Sequence, residues 1–469
     1  MPVPVLSIAE MRDWEQASWT AGASETDVIA QVGKSLASHV HAQTRAGDEI
    51  LILAGRGNNG ADARAAADHL PDRQVRLLQV HDPQAAQPEL TAALARHPTL
   101  VLDGLFGIGL NRPLDVHWIG FLQALNASEA RVVAVDVPSG LNADSGETWG
   151  LAVRAEVTLT VGAPKAGLLT RPAQDWVGRL DVLRHVGLVG EPQTSGEMWW
   201  TLPEDFNTPA RRRSVAAHKG SFGHALIIAG SVGYSGAAVL AARAASRARP
   251  GLVSVLTAPD NWLPVSGQLA SAMVHPFLPR HPLCLKASAI LAGPGLADAA
   301  LPPELRAEVM RLWREFPGVM IVDASALDWL RPGTPCAGAR LITPHPGEAA
   351  RLLGVSSREI QEDRPGSLRR LAARHEAWVV LKGHQTLIGS VRGPLFINPS
   401  GNPGLAQGGT GDVLAGFLTG LLAQPEWSAD ILNTLRRGVW CHGRAADRLE
   451  AEGTGWTAED LAKTLSLNE

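Results

Sequence analysis

The sequence predicts an α/β protein built as two doubly wound domains. Three observations carry that reading. Short β-branched runs alternate with alanine-rich helical stretches through both halves of the 469 residues, as expected of parallel strands joined by crossover helices. The alternation breaks once, around residues 187–217, where Pro, Glu, Ser, Thr and the run Arg211–Arg213 replace it. Glycine-rich turns also gather at strand ends, where open α/β sheets bind ligands.

Taken in order, Ile8–His41 has helical spacing with charges on one face and reads as one or two helices. Strands are predicted at Glu49–Ala54, Val75–Val80, Leu100–Asp103, Arg131–Val137 and Val157–Val161, with helical Ala61–Leu70 and Glu89–Arg96 between them. The arginine run reads as a solvated linker. Beyond it a second series begins, with strands at Ala225–Ala229, Leu252–Thr257, Ala289–Ala292, Val319–Asp323, Arg340–Thr343 and Val379–Lys382. The domains are therefore expected at residues 1–200 and 205–469. No tandem repeat or low-complexity tract is present.

Apolar residues make up 45% and charged residues 19%, enough for buried cores and against disorder of the whole chain. The net charge of −4 gives nucleic acid no field to bind. Cys284, Cys336 and Cys441 form no CxxC pair, so neither a disulfide framework nor a zinc site is expected. The opening Met-Pro-Val-Pro-Val-Leu-Ser does not read as a signal peptide. The longest apolar run, Val413 to Ala423, is short and broken by Gly416 and Gly420. A soluble cytoplasmic protein, without nucleic-acid or membrane partners and assembled as a homo-oligomer, is the expectation.

The basic residues are nearly all arginine, yet Lys165, Lys219 and Lys382 each stand beside glycine or one residue from it. Such lysines are candidate point charges where backbone approaches a ligand.

In the first half, Gly55-Arg56-Gly57-Asn58-Asn59-Gly60-Ala61-Asp62 follows a strand and opens a helix. Glycines there turn backbone N–H groups toward a phosphate, and the two amides offer oxygens to a hard cation. Asp103-Gly104-Leu-Phe106-Gly107 and Asp136-Val-Pro138-Ser139-Gly140 place acids at two further strand ends. One such acid is often a helix cap; three polar strand ends in one sheet point to a pocket.

With Thr160-Val-Gly162-Ala-Pro-Lys165-Ala-Gly167, these motifs resemble the NAD(P)H-hydrate epimerase domain. The resemblance implies a Rossmann-like fold that interconverts the R and S hydrates of the nicotinamide ring. It implies a potassium ion held by Asn59, Asp103 and Ser139. It also implies hydrate contacts from Asn58, Asn59, Gly60, Ala61 and Asp62, from Gly107, Ile108, Gly109, Leu110, Asn111, Arg112 and Pro113, and from Asp136, the candidate acid/base. The family pattern Asn-Asn-Gly-Gly-Asp-Gly reads Asn58-Asn59-Gly60-Ala61-Asp62-Ala63 here. Each added methyl is expected to crowd the backbone-to-phosphate approach, leaving weaker epimerisation or a non-catalytic binding module.

In the second half, Gly408-Gly409-Thr410-Gly411-Asp412 precedes an apolar helix, which builds an anion hole at a helix N-terminus. A carboxylate there repels phosphate. Asp412 makes sense as the acceptor of a proton from a hydroxyl attacking a terminal phosphoryl group. His218-Lys219-Gly-Ser-Phe-Gly223 is expected to form an entrance loop, and Gly230-Ser231-Val-Gly233, Gly293-Pro294-Gly295, Asp323-Ala324-Ser325 and Thr343-Pro344-His345-Pro346-Gly347-Glu348 supply further strand ends. His345 is held between prolines, and Lys382 is poised to meet nucleotide phosphates.

This set resembles the ADP-dependent or ATP-dependent NAD(P)H-hydrate dehydratase domain of the ribokinase-like superfamily, over nearly all of residues 205–469. The resemblance implies ADP (or ATP) on Lys382, Gly383, His384, Gln385, Thr386 and Gly411, with Mg2+, and the hydrate on Ala237, Gly295, His345 and Asp412. Ser325 stands where the family has a second aspartate. Together the halves imply a two-activity enzyme repairing the hydrates of NADH and NADPH. A vitamin-precursor kinase fused to a binding module is the alternative.

Overall fold

The computed structural model describes residues 2–206, 213–334, 336–453 and 455–467; Arg211 and Arg212 of the arginine run lie outside them. The chain divides into two compact units, Val3–Glu197 and Met198–Glu469, the latter taking in Met1 and Pro2.

The first unit opens with two helices, Ile8–Thr20 and Glu25–Gln43, separated at Gly22, whose φ of +97° suits a residue without a side chain. Six parallel strands follow, in the spatial order Gln74–Gln79, Glu49–Ala54, Leu100–Gly104, Arg131–Val135, Val157–Val161, Arg179–Leu183. The side-chain period of two sorts each strand between two cores. Ile50 and Ile52 face Val32, Leu36 and Val40 of the second helix. Leu51 and Leu53 face Leu90 of helix Pro83–Leu94 and Phe121 of helix Val116–Asn126. Burial on both faces is why Ile50–Ala54 and Val132–Val135 read as unbroken apolar runs.

The chain leaves Glu49–Ala54 for one neighbour and returns to the other at Leu100–Gly104. Sequential strands therefore part there, which opens a crevice at their carboxyl ends.

The second unit repeats the device. Its strands run Met198–Trp200, Leu395–Asn398, Thr386–Gly389, Trp378–Leu381, Arg340–Ile342, Val319–Val322, Ala289–Ala292, His224–Ile228, Leu252–Thr257, Met273–Pro276. All pairs from Trp378–Leu381 to Met273–Pro276 are parallel, while Thr386–Gly389 is antiparallel to both its neighbours. The strand order reverses between His224–Ile228 and Ala289–Ala292. Helix Thr410–Leu422 lies against helix Ser235–Arg247 because a Cβ on Gly416 or Gly420 would fall 2.1 or 2.3 Å from the backbone oxygens of Ala241 and Ala245. The glycines that break the apolar run are thus packing sites.

The boundary segment 187–217 carries structure of its own, because Met198–Trp200 pairs with Leu395–Asn398 and Phe206 enters a core. The entrance loop departs from its expectation. Lys219–Phe222 precedes strand His224–Ile228 and packs on Gly251, and the following Gly223 packs on Ala423, so the loop lies at the amino ends of the strands, away from the glycine-rich turns.

Candidate functional site

In the first unit the polar groups collect at the switch point. Asp103, the penultimate residue of strand Leu100–Gly104, is wholly buried. Its Oδ1 accepts from Ser139 Oγ at 2.6 Å and from the Leu105 N–H at 3.3 Å, and its Oδ2 accepts from the Ser139 N–H at 2.9 Å. Asn59, in the first turn of helix Asn58–Ala67, donates Nδ2 to Phe106 O at 2.8 Å, and the Phe106 N–H donates to Ser139 Oγ at 2.9 Å. The three residues expected around potassium are therefore linked by hydrogen bonds through Phe106. Burial pushes Asp103 up to about 6, against the hydrogen bonds from Ser139 and Leu105. A buried carboxylate beside an amide, a hydroxyl and backbone carbonyls is a donor set that fits a hard monovalent cation.

One strand further along sits an ion pair. Asp136 holds φ +63°, an uncommon conformation for a residue with a side chain. Its Oδ1 accepts from Lys165 Nζ at 2.5 Å, from the Val161 N–H at 3.0 Å and from Thr160 Oγ1 at 3.2 Å. Lys165 is wholly buried and also donates to Val161 O at 2.7 Å. Three donors on one oxygen fix the carboxylate and leave Oδ2 clear of them.

Asp62 is buried nearby, and burial together with the Asp136 and Glu15 carboxylates pushes it up to about 8. Burial also raises Glu15, with Lys165 opposing. Lys165 stands out in the sequence by its glycine neighbourhood, whereas no role is predicted for Glu15 or Thr160, and helix spacing gives no sign that Glu15 lies within electrostatic reach of Asp136.

Gly60 is obligatory, since a Cβ there would meet Gly55 O at 2.1 Å. Gly107 lies over the Asn59 side chain, so the start of the loop Gly107–Pro113 reaches the cluster, while Asn111, Arg112 and Pro113 are exposed. Ala63 corrects an expectation. It is fully buried among core residues and faces Gly104, so its methyl points away from any phosphate path.

In the second unit the residues converge again at carboxyl ends. Gly295, at φ +64°, fits against Ala237, and Gly293, at φ +129°, lets Asp323 O approach to where a Cβ would stand 1.7 Å away. Lys382 Nζ donates to Asp323 Oδ1 at 2.8 Å and lies 3.8 Å from Glu348 Oε2. It also lies 3.3 Å from where a Cβ on Gly411 would be. Burial opposes the Lys382 charge, but Asp323 and Glu348 hold it above its ordinary value.

Asp412 lies in the first turn of helix Thr410–Leu422, whose N-cap is Gly409 at φ +94° without a side-chain cap. It is therefore not the capping aspartate. Burial, reinforced by Asp323 and Glu348 and opposed by Lys382, pushes it up to about 7.

Around these groups lies a support. His345 is exposed, and its Nδ1 accepts from the Gly347 N–H at 3.0 Å while Glu348 Oε2 accepts the His345 N–H at 2.8 Å, a reciprocal cap of helix Pro346–Leu353. Buried His442, pushed down to about 4 by burial, donates Nε2–H to Thr410 O at 3.0 Å. Buried Arg364 donates to Leu381 O at 3.2 Å and Gln385 O at 3.5 Å, bracing the loop Lys382–Thr386, in which His384 is exposed. No sequence signal pointed to His442 or Arg364, because they serve the site through backbone carbonyls brought close only by folding.

Residues 225–467 match the family model described as NAD(P)H-hydrate dehydratase, and residues 25–93 and 74–167 match that of the YjeF-related protein N-terminus. The bifunctional NAD(P)H-hydrate repair enzyme Nnr of Coxiella burnetii is 34% identical over 96% of this chain and 96% of its own length. The protein of the same name from Gloeobacter violaceus is 35% identical, covering 98% and 96%. Among solved structures, a ribokinase-like superfamily protein from Enterococcus faecalis aligns at TM-score 0.51 and 27% identity, over 59% of this chain and 96% of that one. The chain belongs to the family of bifunctional NAD(P)H-hydrate repair enzymes.

Proposed function

We propose that the first unit epimerises the R and S hydrates of NADH and NADPH, and that the second dehydrates the S form at the expense of ADP, releasing AMP and phosphate. The observation that carries this reading is Asp412. It is a carboxylate raised to about 7, not used as a cap, at the glycine-rich start of a helix and within electrostatic reach of Lys382.

Asp412 takes the proton from the C6 hydroxyl as that oxygen attacks the terminal phosphorus of ADP and AMP leaves. The phosphate ester then departs with its bonding pair as the ring nitrogen lone pair forms the N1=C6 bond. The departing phosphate takes the C5 proton, which completes the C5=C6 bond of the dihydronicotinamide. Gly411 and Lys382–Thr386 bind the nucleotide, with the Lys382 ammonium facing its phosphates. Ala237, Gly295 and His345 hold the hydrate. Magnesium, when bound, would neutralise phosphate charge.

In the first unit Asp62 gives its proton to the C6 hydroxyl, the C–O pair leaves as water, and nitrogen forms the iminium. Water adds to the opposite face and loses its proton to Asp136, fixed by Lys165. Asn59, Asp103 and Ser139 would hold potassium, which supplies positive charge beside the bound dinucleotide. One carboxyl held protonated by burial, at Asp62, and a second fixed by Lys165, at Asp136, suit such an exchange.

The test follows an R/S hydrate mixture of NADH with ADP and magnesium, reading dihydronicotinamide absorbance and free phosphate. The native protein should recover all of it, Asp136→Asn should stall once the S fraction is consumed, and Asp412→Asn should recover none. A phosphorylated product that persists without absorbance recovery would overturn the dehydratase half in favour of a kinase.

A further inference from the structure

A cavity of about 640 Å³ in the second unit adjoins this centre. Leu296, next to Gly295, Ser325, two residues from Asp323, and Glu348 line its near side. Leu301 and Trp329 give it apolar walls, and Arg306 stands on its rim as an exposed residue of helix Pro303–Glu315. Phosphoryl transfer to a ring hydroxyl does not require this extra space. A dinucleotide does, because its reacting ring is one end of a molecule whose other end is an adenosine.

The charges along the cavity are not equivalent. Arg351 is paired with Asp328 at 2.9 Å. Glu348 is engaged by the His345 N–H and lies 3.8 Å from Lys382, and Asp298 Oδ1 accepts from the Ala300 N–H at 2.8 Å. Arg306 forms no ion pair among the described residues; its guanidinium carbon rests 5.9 Å from the Trp329 ring centroid. A planar guanidinium without a carboxylate partner, beside apolar and aromatic walls, matches a phosphate monoester on a nucleoside.

We propose that this cavity receives the adenosine end of the hydrated dinucleotide and that Arg306 binds a 2′-phosphate there, so that the second unit favours the hydrate of NADPH over that of NADH. The proposal rests on the dehydratase reading of the same site. A neutral ribose hydroxyl offers Arg306 far less than a dianionic phosphate, so the residue acts on KM for one substrate and not on the chemical step.

The experiment compares the native protein with Arg306→Ala and Arg306→Lys, measuring kcat and KM separately for the S hydrates of NADH and NADPH and for ADP. Calorimetric titrations with NADP+ and NAD+ run beside them. Arg306→Ala should raise KM for the NADPH hydrate about tenfold, weaken NADP+ similarly, and leave kcat, the NADH-hydrate KM and the ADP KM unchanged; Arg306→Lys should recover part of the loss. Equal effects on both hydrates, no effect, or an effect on ADP alone would overturn the assignment. If the native protein turned over neither hydrate, the dehydratase reading would fail, and the NADP+ and NAD+ titrations would still decide whether Arg306 reads the phosphate.

Discussion

The two sites share a problem, which is how to keep a carboxylate useful where phosphate must also sit. At Asp412 the answer is burial against two other carboxylates, with Lys382 opposing. A base raised to about 7 is mostly protonated below that pH, so kcat/KM for dehydration should rise from pH 6 to 8 and level off. Removing the base with Asp412→Asn should cost about 10²–10⁴-fold in kcat, with ADP binding retained by calorimetry. The same shift has a stability side. A folded-state value above the ordinary one means that stability is full below about pH 4 and is lost as pH rises through about 7. Asp412→Asn should therefore unfold at a higher temperature than the native protein at pH 8, and that gap should shrink toward pH 4. Asp62 predicts the opposite activity limb. Held protonated up to about 8, it should let epimerisation fall as pH rises past 8, measured as the rate of R-hydrate consumption with the dehydratase in excess.

At the scale of elements, glycines and small residues decide whether a turn exists at all. Gly60→Ala would drive a methyl into the Gly55 backbone, whose O would stand 2.1 Å away. It should abolish epimerisation and lower the first unit's melting temperature, while S-hydrate dehydration continues. Ala63→Gly should do something different. It empties a contact with Gly104 and loosens a helix, costing about 1 kcal/mol, and should bring no gain in epimerase rate.

The strands whose side chains are buried on both faces were legible in the sequence almost to the residue, since Ile50–Ala54 and Val132–Val135 are continuous apolar runs. Thr386–Gly389, Leu395–Asn398 and Met273–Pro276 were not, because Thr386 and Gly389, Asn398, and His275 and Pro276 interrupt runs only four residues long. The glycine-rich turns and Asp103, Asp136, Asp323 and Asp412 stood out by their place at strand and helix ends. Glu15, Arg364 and His442 did not, for their positions depend on how helices dock. Ala63 was misjudged for a related reason: spacing alone does not say which side of a helix faces the core.

At the scale of the whole molecule, each unit has its own cores and its own switch point. The two activities should accordingly separate by single substitutions. Asp136→Asn should leave the rate on purified S hydrate within twofold of native, and Asp412→Asn should leave R/S interconversion intact when the ring protons are followed by NMR. Loss of both activities from either change would mean that the units do not act independently.

The chain has six lysines, and their placement gives an assay that needs no substrate. Lys34, Lys219, Lys286 and Lys463 are exposed, whereas Lys165 is sealed against Asp136 and Lys382 is bonded to Asp323. Gentle acylation of amines should load the four outer side chains first, so intact-protein mass, followed by peptide mapping, distinguishes a molecule with both ion pairs closed from one that has opened either. An adduct on Lys165 reports the first unit and one on Lys382 the second. A nucleotide that shields Lys382 would appear as slower acylation at that position alone.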